Sequence, residues 1–107
     1  YSMTSPAIEK ARYFAERIRQ KLTGTVCQIF LFGSQARGDA TDASDFDFTV
    51  IVSRRGSDIV GVVRETEVEL LDRFDSLCSA LVYDENEWRR RRRMPIGINI
   101  LREGIAL

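Results

Sequence analysis

Apolar residues recur at Ile8, Ala11, Phe14 or Ala15, Ile18 and Leu22, with Glu9, Arg12, Glu16 and Arg19 set elsewhere. Steps of three and four keep apolar side chains on one helical face, so this segment predicts a helix covering a sheet. Ser5-Pro6 suits its start, with Ser as N-cap and Pro at the first helical position, and Gly24 suits its end. The pattern then changes. Val26 to Phe32 is apolar on both faces apart from Gln28, as expected of a central strand covered on each side. A small, polar stretch from Ser34 to Ser44 follows, with Asp39, Asp42 and Ser44 suited to turns and a short helical turn expected from Ser34. Phe46 to Val52 reads as a second buried strand, broken by Ser53-Arg54-Arg55-Gly56.

Ser57 or Asp58 can cap a helix carrying Ile59, Val60, Val63, Leu70, Leu71 and Phe74, with Arg64, Glu65, Glu67 and Glu69 on its wetter side. Leu77 to Tyr83 forms a third apolar strand. Asp84 caps a further helix, Glu87 supplying the acidic half of a capping box, and Pro95 stops it. Ile98 to Glu103 reads as a last helical turn ending at Gly104, with Ile105 to Leu107 available as an edge strand. The order predicts the α/β (α+β) class: a small mixed sheet of three to four strands, flanked by helices on one side or both.

With 107 residues, one domain spanning 1–107 is expected, able to bury a single core. Apolar residues make up 44% and charged residues 30%, ordinary for a globular chain. Lys plus Arg and Asp plus Glu number 16 each, so no overall field draws the chain to nucleic acid or acidic membrane. The basic residues are uneven, however, with Arg89 to Arg93 in one run. No apolar stretch approaches membrane-spanning length, and the N-terminus lacks a signal-peptide layout. Cys27 and Cys78 fall in predicted strands and are expected to be buried. With no CxxC and no His, zinc and a disulfide framework are disfavoured, and the cytoplasm is the default.

The candidate chemistry sits where the first strand stops at Gly33-Ser34. Glycine lets the chain approach a ligand closely, and a helix starting at Ser34 offers free N–H groups to phosphate oxygens. Alone, that dipeptide is a plain turn. Asp45 and Asp47 give it meaning. Two residues apart at the mouth of the second strand, both carboxylates are expected on one sheet face, with Phe46 and Phe48 on the other. Paired carboxylates repel unless a cation lies between them, and Mg²⁺ takes one or two carboxylates plus phosphates and water.

Gly33-Ser34 followed after ten residues by Asp45-Phe46-Asp47 resembles the signature of the polymerase-beta-type nucleotidyltransferase superfamily. More narrowly, it resembles the small "minimal nucleotidyltransferase" (MNT) domains, many of them antitoxins paired with a helical HEPN toxin. The ending Asn99-Ile100-Leu101-Arg102-Glu103-Gly104-Ile105 is similar to that family's close. The resemblance implies ATP or another nucleoside triphosphate as substrate, and Mg²⁺ or Mn²⁺ held by Asp45 and Asp47. It further implies nucleotide contacts from Gly33, Ser34, Arg37 and Gly38, and transfer of a nucleoside monophosphate to an acceptor hydroxyl on a partner protein. Arg37 matches the Arg of the family's GSxxRG form and would clamp a triphosphate or position Asp45. The plainer alternative is a surface ion pair with Asp39 or Asp42.

One departure stands out. Active members carry a third carboxylate near the start of the third core strand, and aligning 81–88 with the family places that position at Ser79. Serine is a poor metal ligand and no general base. Asp75 lies four residues earlier, roughly 13 Å along an extended chain, too far to substitute. Two functional classes therefore follow: a transferase, or an impaired module that keeps the fold and neutralises a partner toxin by contact. Five consecutive arginines would point all round a helix, so a purely solvated face is a poor account of Arg89 to Arg93. Some would pair with Glu65, Glu67 and Glu69. Arg89, Arg90 and Arg93 are the candidates for contact with an acidic partner protein, favoured over RNA because no aromatic platform interleaves them.

Overall fold

The computed structural model describes residues 6–41 and 44–107. The expected N-cap Ser5 and the turn residue Asp42 lie outside the described residues. The elements are α1 (Pro6–Lys21), β1 (Val26–Phe32), α2 (Ser34–Arg37), β2 (Phe46–Val52), α3 (Ser57–Phe74), β3 (Cys78–Asp84), α4 (Glu85–Arg91), α5 (Pro95–Glu103) and β4 (Ile105–Ala106). The sheet order is β3-β2-β1-β4, with β1 antiparallel to β2 and β4, and β3 parallel to β2. It is the mixed, four-stranded α/β arrangement that the apolar pattern predicts.

Strand alternation divides the core in two. Ile29 and Leu31 of β1 and Phe46, Phe48, Val50 and Val52 of β2 face α1 and α3. Phe14 of α1 stacks on Phe48 with ring centroids 4.0 Å apart. On the other face Phe30 and Ile51 pack beneath Trp88 of α4 and Ile100 of α5. Helices therefore cover both sides, and Asp47 shares its face with Ile51, the side of α4 and α5.

Several local expectations are corrected. Pro95 opens α5 at its first turn rather than only stopping α4, because its fixed φ suits a helix start and its missing N–H costs nothing there. The last helix is accordingly Pro95–Glu103, longer than the turn expected from Ile98. α3 takes Gly56 as N-cap, with no side-chain cap; the Asp58 carboxylate is engaged by Arg54 at 2.9 Å instead. Cys27 is exposed rather than buried, since β1 bulges between Val26 and Gln28 at its outer end. Cys78 is half-buried. Among the described residues none of Arg89 to Arg93 pairs with an acidic side chain; Glu65 and Glu69 pair with Lys21, Glu69 also with Arg17, and Glu67 with Arg64. The reason is topological, as α3 and α4 lie on opposite faces of the sheet. The Asp84–Glu87 capping box is formed as expected, with Glu87 N–H donating to Asp84 Oδ1 at 2.7 Å.

The edge strand β3 is closed by side chains. Arg64 of α3 donates to Ala80 O at 2.9 Å, and Glu67 accepts from Ala80 N–H at 2.7 Å. Arg55 donates to Val82 O at 3.0 Å. These contacts occupy polar groups that an unprotected edge would offer to another chain. Among the described residues no helix is long and apolar enough to cross a membrane.

Candidate functional site

The end of β1 and the starts of β2 and β3 meet at one edge of the sheet. Here β1 breaks at Gly33, whose φ of 76° and ψ of −159° fall where essentially only glycine is comfortable. The break turns the chain directly into α2. Ala36 and Arg37 N–H groups return to Gly33 O, each at 3.1 Å. The Ser34 and Gln35 amides, earliest in the turn, have no intrahelical carbonyl within reach. Gly38 ends α2 at φ 83° in the left-handed region, its N–H donating to Ser34 O.

Asp47 is opposite Phe32 on one side and in register with Ser79 on the other. Its carboxylate lies against the Gly33 backbone: a Cβ built on Gly33 would come within 2.5 Å of Asp47 Oδ2. Gly33 thus serves two needs at once, an unusual backbone turn and room for that carboxylate. Burial pushes the Asp47 carboxyl above its ordinary value, the Asp45 charge pushes it further, and Arg37 partly offsets both. Asp45 and Arg37 thus both act electrostatically on Asp47. Asp45 itself stands one residue ahead of β2, exposed, so strand alternation sets the direction of Asp47 but not that of Asp45.

What fixes Asp45 is a set of hydrogen bonds that the sequence did not reveal. Gln35, buried on α2, donates from Nε2 to Ser44 O at 3.0 Å. The Thr41 N–H donates to Ser44 Oγ at 2.9 Å, and Ser44 N–H returns to Thr41 O at 3.0 Å. Phe46 N–H, just after Asp45, donates to Leu77 O at 3.0 Å. Asp45 is therefore held between two anchored neighbours, one of them tied to α2. The only sequence signal for this was a polar residue, Gln35, at an inner position of a short helix.

Arg37 bridges Asp39 and Glu103, at 3.2 Å each. The surface pair expected with Asp39 is present, and Glu103 adds a tie from α5 to α2 that local sequence spacing could not disclose. Ser79 is exposed and adjacent to Asp47 on the neighbouring strand, the position at which a side chain would share a ligand with it. Asp75 is not in register with Asp47, but it lines with Asp45, Lys10 and Ser76 a cavity of about 500 Å³ beside the N-terminus of α1.

Neither thiol suits a nucleophile or metal ligand at neutral pH. Burial, with Glu67 and Asp45 nearby, pushes Cys78 up to about 12, and a hydrogen bond to Glu85 raises Cys27 to about 11. The donors that do fit a hard cation are the two carboxylates, Asp47 half-buried against Gly33 and its charge opposed by that of Asp45. Two carboxylate donors leave coordination positions for phosphate oxygens and water, and amides of a glycine turn stand beside them. That arrangement suits the triphosphate of a nucleotide.

Comparison with known proteins agrees in kind. The nucleotidyltransferase domain family matches residues 11–101. A candidate protein adenylyltransferase of Methanocaldococcus jannaschii, MJ0604, is 31% identical over 100 residues, covering 92% of this chain and 96% of its own. A second from the same organism, MJ1305, is 30% identical over 91 residues, and the match spans 62% of its length. Among solved structures, a toxin–antitoxin with AMP-PNP superposes at a TM-score of 0.64 with 18% identity, covering 88% of this chain and 69% of that one. An MNT antitoxin in complex with tri-AMPylated Shewanella oneidensis HEPN toxin gives 0.56 with 15% identity, covering 94% and 70%. At those identities the structural likeness is one of fold. Taken with the match over most of its length, it settles the classification: the chain belongs to the nucleotidyltransferase domain family.

Proposed function

We propose that the chain binds a nucleoside triphosphate, ATP by preference, with Mg²⁺ or Mn²⁺, and transfers its nucleoside monophosphate to a hydroxyl of a partner protein. The observation that supports this reading best is the Asp47 carboxylate packed against the Gly33 backbone where β1 turns into α2, with Asp45 two residues ahead of it. In this reading the Ser34 and Gln35 amides receive phosphate oxygens, and Arg37 turns from Asp39 toward the phosphate chain. Asp45 and Asp47 hold the cation, which when bound supplies positive charge to the phosphates. The acceptor oxygen bonds to the α-phosphorus, the bond to pyrophosphate breaks, and the hydroxyl proton is released. Two relatives described as candidate protein adenylyltransferases, and a HEPN toxin seen AMPylated beside an MNT antitoxin, support a protein acceptor and an antitoxin role.

A second reading rests on Ser79. A serine in register with Asp47 offers no third carboxylate, and missing general-base help costs about 10²–10⁴ in rate. The chain would then silence its partner by contact. Incubation with ATP, Mg²⁺ and the product of the neighbouring gene, followed by intact-mass spectrometry, separates the two. One or more added nucleotide masses on the partner support transfer. A stable complex of unmodified mass supports the binding module.

A further inference from the structure

The five arginines at Arg89 to Arg93 remain unused by the site. They account for five of the 16 basic residues, leaving 11 basic against 16 acidic side chains in the rest of the chain. The molecule is therefore electrically neutral only as a whole, with its positive excess gathered at one place. Arg89, Arg90 and Arg93 fall with Asn86 at helical spacing, on the side of α4 away from buried Trp88, around a shallow depression of about 450 Å³. No described ion pair neutralises them. Arg91 lies over the Tyr83 ring and against the Met94 sulfur instead.

The apolar surface begins where the arginines end. Met94, Ile98 and Leu101 follow one another at steps of four and three along α5, and are 44%, 48% and 44% exposed. Gly97 and Ile100 on the neighbouring stripe are buried, and Gly97 brings the α5 backbone directly against Arg91 and Arg92. This tight junction makes α4 and α5 one surface rather than two. Its far end reaches the candidate site, because Glu103 closes α5 by holding Arg37. The whole surface lies on the sheet side shared by Asp47.

We infer that the outer face of α4 and α5, with Met94, Ile98 and Leu101 beside Arg89, Arg90 and Arg93, docks a partner protein whose apolar contact surface is rimmed by Asp and Glu. The inference rests on the proposed transfer reading for its purpose, since a partner seated here has its acceptor beside the nucleotide turn. The charge of the arginines selects an acidic rim. The aliphatic stripe selects a protein rather than RNA, because the aromatics of this region are buried or half-buried and offer bases no platform. Aliphatic side chains at the centre with arginines at the rim are the usual division of labour in a protein interface.

The test uses the chain with the product of the neighbouring gene as the partner tried, and Ile98→Asp/Leu101→Asp and Arg89→Glu/Arg90→Glu as separate double variants. All four positions are exposed, and thermal melting and Mg²⁺–ATP binding check that each variant stays folded. The expected result is that each pair weakens the complex at least about 30-fold, the scale of an interface hot spot. ATP binding is expected to stay unchanged. Absence of a wild-type complex, or a complex indifferent to both pairs, overturns the inference. So does wild-type capture of a 20-nucleotide poly(U) RNA that depends on the arginines and ignores the apolar pair. Binding to phosphatidylserine vesicles, or self-association, lost with the apolar pair while partner binding persists also overturns it. A complex that needs these residues in a chain that binds no ATP leaves the docking face standing and removes the transfer reading.

Discussion

Gly33 carries two local constraints at once. Its backbone lies where side chains are strained, and the space a Cβ would take belongs to Asp47 Oδ2. Gly33→Ala is expected to cost roughly 1–3 kcal/mol in urea unfolding, from backbone strain and carboxylate displacement together. Asp47 acts in the opposite sense. Its folded-state carboxyl lies above the ordinary value of 3.8, chiefly through burial and then through Asp45. The folded state therefore keeps its proton to higher pH than the unfolded state does. Stability falls as pH rises through the interval between the two values, and at pH 7 ionised Asp47 opposes folding. Asp47→Asn is accordingly expected to melt higher than wild type at pH 7 without metal, an advantage that shrinks as pH falls through the folded-state value and is gone below about pH 4, where Asp47 is protonated in the folded and unfolded states alike. A melt that is lower at pH 7 would contradict this account of Asp47. Ser79 offers a gain-of-function prediction. Ser79→Asp places a carboxylate in register with Asp47 and is expected to raise transfer to the partner by about 10²-fold or more, read as pyrophosphate release.

At the scale of elements, the edge strand β3 carries both Ser79 and the parallel pairing that aligns it with Asp47. Its outer backbone is closed by Arg64 and Glu67, from one turn of α3. Glu67→Ala removes the acceptor for the Ala80 amide and the pairing of Arg64. It is expected to lower unfolding stability by about 1–3 kcal/mol and to speed amide exchange at Ala80 selectively. Uniform exchange across β3 would argue against a local clamp. Elements were also where sequence periodicity spoke most plainly. The heptad-like spacing of α1, the two-sided apolar runs of β1 and β2 and the Asp84 capping box each have one cheap conformation, so local pattern decides them. Pro95 is ambiguous in sequence, because a proline both ends one helix and starts another equally well, and here it lies past the end of α4 and opens α5. Cys27 is exposed where its residue type suggests burial, because residue type does not disclose where a strand bulges.

For the whole molecule, the division between legible and hidden follows sequence distance. Gly33-Ser34 and Asp45-Phe46-Asp47 lie close together in the chain, and alternation along β2 is enough to point Asp47 at the turn. The Gln35–Ser44, Arg37–Glu103 and Arg64–Ala80 ties cross loops or elements, and depend on where helices land on the sheet. No periodicity encodes them. The fate of the arginine run was hidden for the same reason, since its acidic counterparts on α3 lie beyond the sheet. The central claim, that Asp45 and Asp47 grip a cation against a triphosphate held at Gly33-Ser34, is tested most directly by isothermal titration of ATP into the chain. The titration is run with Mg²⁺ and with EDTA, for wild type and for Asp45→Asn/Asp47→Asn. The account predicts wild-type binding that needs Mg²⁺ and is weakened at least tenfold in the double variant. Equal affinities in the two proteins, or wild-type binding indifferent to EDTA, would contradict it.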